Sequence, residues 1–181
     1  MHAAAMEWIQ AHATADTVRV LDVGGRQING TPRALFPNAT EYVVVDLVEH
    51  PSVDLVADVL ALQPGRRSRA SRAAVKASSM GTFDVVVYAE VAEHSADWQQ
   101  HLQVMMQLLN ADGRLIITAA NQHRVPHSSV DGGALRDDEY YENLTRADLM
   151  DALLAVTDDY QVDEHGDDIR AVAYKGADTD G

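Results

Sequence analysis

A chain of 181 residues with no cysteine can form neither a disulfide nor a thiolate metal site, and its length suits one domain with a real core. Its net charge of −14 disfavours non-specific binding to nucleic acid or to an anionic membrane. No apolar run reaches membrane-spanning length.

The opening segment, MHAAAMEWIQAHA, lacks a basic flank and carries Glu7 in its apolar part. It therefore reads as an amphipathic helix over residues 2–13 rather than a signal peptide, with Met6, Trp8 and Ile9 available for packing. Cytoplasmic residence is the default expectation. The next stretch, VRVLDVGGRQING, organises the rest. A short β-branched run over residues 18–23 predicts a strand buried on both faces. Gly24 and Gly25 then allow a tight turn and close backbone approach to a ligand. Thr31 and Pro32 suit an N-cap and first helical position, opening a short helix that stops by Pro37.

Strands are expected over residues 42–47 and 53–58. The segment between them, VEHPS, is too short for a regular crossover helix. Residues 61–82, rich in Arg, Ala and Ser, predict an exposed helix. Arg66, Arg67, Arg69, Arg72 and Lys76 make it either a solvated face or a docking patch for an anionic substrate or partner. A strand follows over residues 83–88. Ser95 is expected to cap a helix reaching Asn110, with Trp98, Leu102, Met105 and Leu109 as its core face. Asp112 and Gly113 turn into a strand over residues 114–119.

Residues 121–143 form a long irregular stretch, of a length that points to function or disorder. A capping box at Thr145 and Asp148 opens a helix to about Val156. Alternating runs about Gly166 predict a β-hairpin, with strands over residues 160–164 and 169–174. Together these elements predict an α/β three-layer sandwich, Rossmann-like, with a mixed seven-stranded sheet and an antiparallel C-terminal hairpin. One domain over residues 1–176 is expected, with a disordered tail over residues 177–181.

The strand ends carry acids in a regular way: Asp22, Asp46, Asp58 and Glu90, with Glu93 and His94 close behind. In an open α/β sheet these line one crevice at the carboxyl ends of the strands. Asp46 lies about twenty residues past the glycine turn, the spacing of an acid that holds ribose hydroxyls. A nicotinamide cofactor would share that acid, but the G-x-G-x-x-G fingerprint fails at Arg26 and Asn29. A ligand with ribose, adenine and a positive centre suits the acids better, and S-adenosylmethionine has all three. No metal site is expected.

VRVLDVGGRQING, EYVVVDL, VDLVADVLAL, FDVVVYAEVAEH and LLNADGRLIITAA together resemble the successive motifs of class I S-adenosylmethionine-dependent methyltransferases. GGRQINGTPRALFP, YVVVDLVEHPSVDLVAD and YYENLTRADL resemble more narrowly a methyltransferase-type-11-like group of bacteria and phages, in which the helix between the second and third strands is much reduced. By position the resemblance implies that Gly24 and Gly25 form the glycine turn, with Asp22 the acid before it. It implies that Asp46 holds the ribose hydroxyls beside Leu47 at the adenine. Asp58 would read the adenine amino group, with Val59 packing nearby, and Glu90 would face the methionine part. The departure is Arg26, where the family carries a second spaced glycine.

The activity implied is methyl transfer to a small-molecule acceptor, achieved mainly by proximity and alignment. His94 and His127 are the candidate bases where the acceptor must lose a proton. His123, Arg124, Tyr140 and Tyr141 are candidate acceptor contacts from the long loop, which is expected to close over the acceptor. Two alternatives stay open at this point: a nicotinamide-dependent oxidoreductase, and a cofactor-binding module without turnover.

Overall fold

The computed structural model describes residues 2–64 and 80–177. In chain order it contains α1 (Ala3–His12), β1 (Arg19–Val23), a 3-10 turn at Pro32–Leu35, β2 (Glu41–Asp46), β3 (Leu55–Val56) and a second 3-10 turn at Val59–Leu62. Then come β4 (Phe83–Ala89), a third 3-10 turn at Ala92–His94, α2 (Trp98–Gln107), β5 (Leu109–Ala120), α3 (Arg146–Leu154), β6 (Tyr160–His165) and β7 (Asp168–Tyr174). The strands make one seven-stranded sheet in the order β3-β2-β1-β4-β5-β7-β6. The first five are parallel neighbours, and β7 runs antiparallel to both β5 and β6. This is the mixed α/β sheet that the alternation of elements predicts.

Strand parity sorts the side chains into two layers. Leu21, Val23, Val43, Val45, Val86 and Tyr88 point to one face, where they pack with Leu102 and Met105 of α2 and with Leu149 and Leu153 of α3. Val20, Val44, Val85, Val87 and Ile116 point to the other, against Ile9 of α1, Phe36 and Tyr42. Trp8 tethers α1 through its indole N–H, which donates to the Ala171 carbonyl at 3.2 Å.

The crossover between β2 and β3 contains no helix. Turns carry it, and the Asp54 carboxylate accepts the Val44 N–H at 2.9 Å, doing what a ladder carbonyl would otherwise do. The expected strand over residues 53–58 shrinks to two residues because Asp54 turns in at one end and Asp58 caps the following 3-10 turn at the other.

The helix after β4 is shorter than expected. It runs Trp98–Gln107, and Leu109 already opens β5, which extends the expected strand backwards through Asn110 and Asp112. Leu109 has helical spacing from Met105 but is buried as a strand residue paired with Phe83. Ser95 is not the N-cap; that position is Asp97, with no side-chain cap. The capping box of α3 forms as expected, Thr145 and Asp148 each bonding the other's backbone N–H. Most of the expected helix over residues 61–82, including the basic run 66–76, lies outside the described residues, as does the end of the tail, residues 178–181.

Candidate active site

The order of the sheet reverses between β1 and β4, and ligands of open α/β folds bind at the carboxyl ends of strands at such a switch point. A cleft of about 640 Å³ opens there. The turn after β1 forms its floor. Gly24 donates its N–H to the Val45 carbonyl at 2.7 Å and has φ of 73°. A Cβ at Gly24 would lie 2.3 Å from Val91 Cγ2 in the turn after β4. A Cβ at Gly25 would come within 2.4 Å of the Asp22 carboxyl carbon. Both glycines are therefore dictated by close approach, and Gly24 by its left-handed backbone as well.

Asp22 does not line the cleft. Its parity turns it to the α1 face, where it is buried and accepts the Tyr42 hydroxyl at 2.8 Å. Burial pushes its carboxyl up to about 6, against the opposing pull of the Tyr42 hydrogen bond and the nearby Arg33. Gly25, His123, Tyr140 and Tyr141 also stay out of the lining, Tyr141 touching it only through the His94 and His127 rings. His123 and Tyr140 are exposed, the latter with its hydroxyl on Glu142.

Gly24, Asp46, Leu47, Asp58, Val59 and Glu90 are brought together along the cleft wall, and Arg124, His94 and His127 face the same cavity. Asp46 Oδ1 accepts the Val48 N–H at 2.9 Å, and its Oδ2 accepts the Arg26 N–H at 3.3 Å. Asp58 Oδ1 accepts the Leu60 N–H at 2.8 Å and lies 3.8 Å from His101 Nε2. His101 is fixed from behind, its Nδ1 lying 2.8 Å from the Tyr88 hydroxyl. The Arg26 guanidinium spans from the glycine turn to the long loop, donating to the Ser129 carbonyl at 3.0 Å.

Glu90 sits in the left-handed region at φ 58°, an uncommon setting for a residue with a side chain and one that clusters at functional positions. Its Oε1 accepts the Thr118 hydroxyl at 3.0 Å, while Oε2 is 3.2 Å from His2 Nε2 and 3.4 Å from Arg124 Nη1. Buried Asp168 completes a four-charge cluster with His2 and Arg124. Hydrogen bonds to Asp168 and then Glu90 raise His2 to about 9. Burial acts to raise Glu90, but His2 and Arg124 hold it below the usual carboxylate range.

At the far end of the cleft three rings meet edge to face. His94 lies 5.0 Å from His127 and 5.2 Å from Tyr141 between centroids, and His127 lies 5.1 Å from Tyr141. Burial and the neighbouring His127 push His94 down to about 4, so its imidazole is neutral across the physiological range. Next to His94 in the chain, Glu93 is fully buried, and its carboxyl oxygens have no side-chain partner, only the Glu93 and Ala120 backbone N–H groups nearby. Burial and then Glu90 push it up to about 8.

Residues 121–143 contain no helix or strand among them but are held in place. Glu139 Oε1 accepts from the Ser128 and Ser129 hydroxyls and the Ser129 N–H, and Asn143 bonds the Asn121 and Arg124 carbonyls. Sequence reasoning missed His2, Arg26 as a bridge, His101 and the serines. Of these only Arg26 carries a sequence signal, the charge where a glycine belongs.

No curated protein sequence matches the chain. Solved structures do, at low identity. One is a 1,6-didemethyltoxoflavin-N1-methyltransferase from Burkholderia thailandensis, solved with 1,6-didemethyltoxoflavin and S-adenosylhomocysteine. It is 18% identical, with a TM-score of 0.62 over 96% of this chain and 79% of that one. A second is the N-methyltransferase NodS from Bradyrhizobium japonicum, solved with S-adenosylhomocysteine. It is 14% identical, with a TM-score of 0.56 over 96% of this chain and 85% of that one. A third is an S-adenosylmethionine-dependent methyltransferase from Mesorhizobium loti, 13% identical, with a TM-score of 0.63 over 93% and 97%. These show a shared fold. The methyltransferase domain family itself matches residues 21–117, which run from β1 and the glycine turn to the body of β5, so the chain belongs to the methyltransferase domain family.

Proposed function

We infer that the protein transfers a methyl group from S-adenosylmethionine to a small-molecule acceptor held in the same cleft. The observation that carries this reading is the division of the cavity. Acids and apolar contacts suited to an adenosine lie at one end, and a neutral, half-buried imidazole lies at the other. Asp46 holds the ribose hydroxyls, Leu47 and Val59 cover the adenine, and Asp58 accepts from its amino group. The Glu90, Arg124 and His2 cluster meets the methionine part. A cleft of about 640 Å³ accommodates a cofactor and a modest acceptor together. The small-molecule acceptor of the Burkholderia relative and the net charge of −14 both favour a small acceptor over nucleic acid.

In the reaction a lone pair on the acceptor displaces the sulfonium at the methyl carbon. The new bond to methyl forms as the carbon–sulfur bond breaks, and its electrons leave on S-adenosylhomocysteine. The protein's part is alignment and exclusion of water. His94, or His127 beside it, takes the proton of a hydroxyl or ammonium acceptor. Tyr141 backs both rings, and the loop 121–143 covers the acceptor.

Replacing residues 130–135 with a short linker tests the division of labour. S-adenosylhomocysteine affinity stays within about twofold of the parent, while methyl transfer from labelled S-adenosylmethionine across an acceptor panel is lost. Retained transfer in the shortened chain would place the acceptor elsewhere.

A further inference from the structure

Glu93 presents a problem that methyl transfer does not solve. A carboxyl group with no solvent exposure and no side-chain partner on either oxygen, only the Glu93 and Ala120 backbone N–H groups nearby, is costly to ionise where it lies. Beside it His94 Nδ1 is also buried and without a partner. His127 is differently arranged: its Nδ1 lies 3.3 Å from the Val125 carbonyl, which leaves Nε2 as the free lone pair. One ligand-capable atom from each of Glu93, His94 and His127 lies within 4.8 Å of the other two.

We propose that Glu93, His94 and His127 bind one divalent transition-metal ion, of the zinc type, at the acceptor end of the cleft. Two imidazoles and one carboxylate are a donor set for zinc and its first-row neighbours. Magnesium and calcium prefer all-oxygen shells. Bonds of about 2.0–2.2 Å to a shared ion require the ligand atoms to close to roughly 3–4 Å of one another. That closure is a matter of side-chain rotation at His94 and His127, which are both only partly buried. The Val125 carbonyl supplies the outer-shell partner that fixes the tautomer of a ligating histidine.

The topology also suits a metal. Glu93 and His94 sit on the 3-10 turn after β4, and His127 sits on the long loop, so an ion would pin that loop to the sheet. His94 and His127 both line the cleft, so the ion sits at its acceptor end, and while it is bound neither imidazole is available as the base named above. A second group of possible ligands, His2, Glu90 and Asp168, also holds one buried unpartnered oxygen, Asp168 Oδ2, but the Arg124 guanidinium already sits against Glu90 and Asp168, so a cation would have to displace a charge that is in place.

The test uses the full chain, stripped with a chelator and titrated calorimetrically with zinc chloride, with no methyl donor or acceptor present. It is therefore independent of the methyl-transfer reading. The site binds one equivalent, and Glu93→Gln and His127→Gln each weaken it by at least about tenfold, since losing even an outer-shell partner costs that much. His50→Gln leaves it unchanged. His127 lies on the surface loop, so its variant folds even where Glu93→Gln does not, and circular dichroism checks both. Cobalt chloride added to the stripped chain gives a visible absorption band that His127→Gln abolishes. Absence of saturable zinc binding, or binding that survives unchanged in folded His127→Gln, overturns the proposal.

Discussion

Asp22 shows how one position in a strand decides what a carboxylate is for. In sequence it is one of four acids at strand ends, set apart from Asp46 only by its place before the glycine turn rather than some twenty residues past it. Parity sends it to the face shared with Val20 and α1, under the glycine turn, where it meets Tyr42, Arg33 and the more distant Asp46. Its folded-state value of about 6 lies above the ordinary value of 3.8, so the folded chain holds this proton more tightly than the unfolded one. The resulting stability is full below about pH 4 and is lost as pH rises through 6. Asp22→Asn keeps an acceptor for Tyr42 and removes the titration. Relative to the parent it gains on the order of 2–3 kcal/mol between pH 4 and 7, read from denaturant melts across that range. A stability difference that stays flat with pH contradicts the buried placement. Gly24 gives a second residue-scale outcome. Gly24→Ala costs about 1–3 kcal/mol from its backbone conformation and its clash with Val91. Val91→Ala in the same chain recovers the steric share, which a double-mutant cycle reads as favourable coupling.

Among the elements, those with one dominant signal were legible. The apolar runs of β1, β2 and β4, the capping box of α3 and the alternation about Gly166 all form where the sequence puts them, within a residue or two. The misplaced boundaries share a cause: side chains took over backbone roles. Asp54 and Asp58 trimmed β3, and Leu109 kept helical spacing while joining a strand. The length of the long loop pointed to function or disorder but not to its internal order, because Glu139 gathers Ser128 and Ser129 from eleven and ten residues away. Glu93 was visible as an acid after β4, yet its burial depends on packing that no local pattern reports. Arg26 is the bridge between the glycine turn and this loop. Arg26→Ala therefore speeds amide exchange at residues 128–130 while leaving the strands of the sheet at parental rates. Unchanged exchange in the loop would mean that Glu139 and Asn143 hold it alone.

At the scale of the molecule, the sheet order creates the switch point, the switch point creates the cleft, and the family assignment gives the cleft its chemistry. The failed dinucleotide fingerprint and the row of acids already favoured a methyl donor over a nicotinamide in the sequence. The division into a cofactor end and an acceptor end emerged only in three dimensions, because His127 and Tyr141 reach His94 from a loop more than thirty residues away. The cleft is predicted to bind the methyl donor through its strand-end acids. Calorimetric titration of the parent and of Asp46→Ala with S-adenosylhomocysteine, and with NAD as the competing ligand, tests it most directly. The parent binds one S-adenosylhomocysteine per chain and no NAD, and Asp46→Ala binds it more than about tenfold more weakly, as expected when charge-assisted hydrogen bonds are removed. Binding of NAD in place of S-adenosylhomocysteine, or equal affinity in a folded Asp46→Ala chain, would contradict the account.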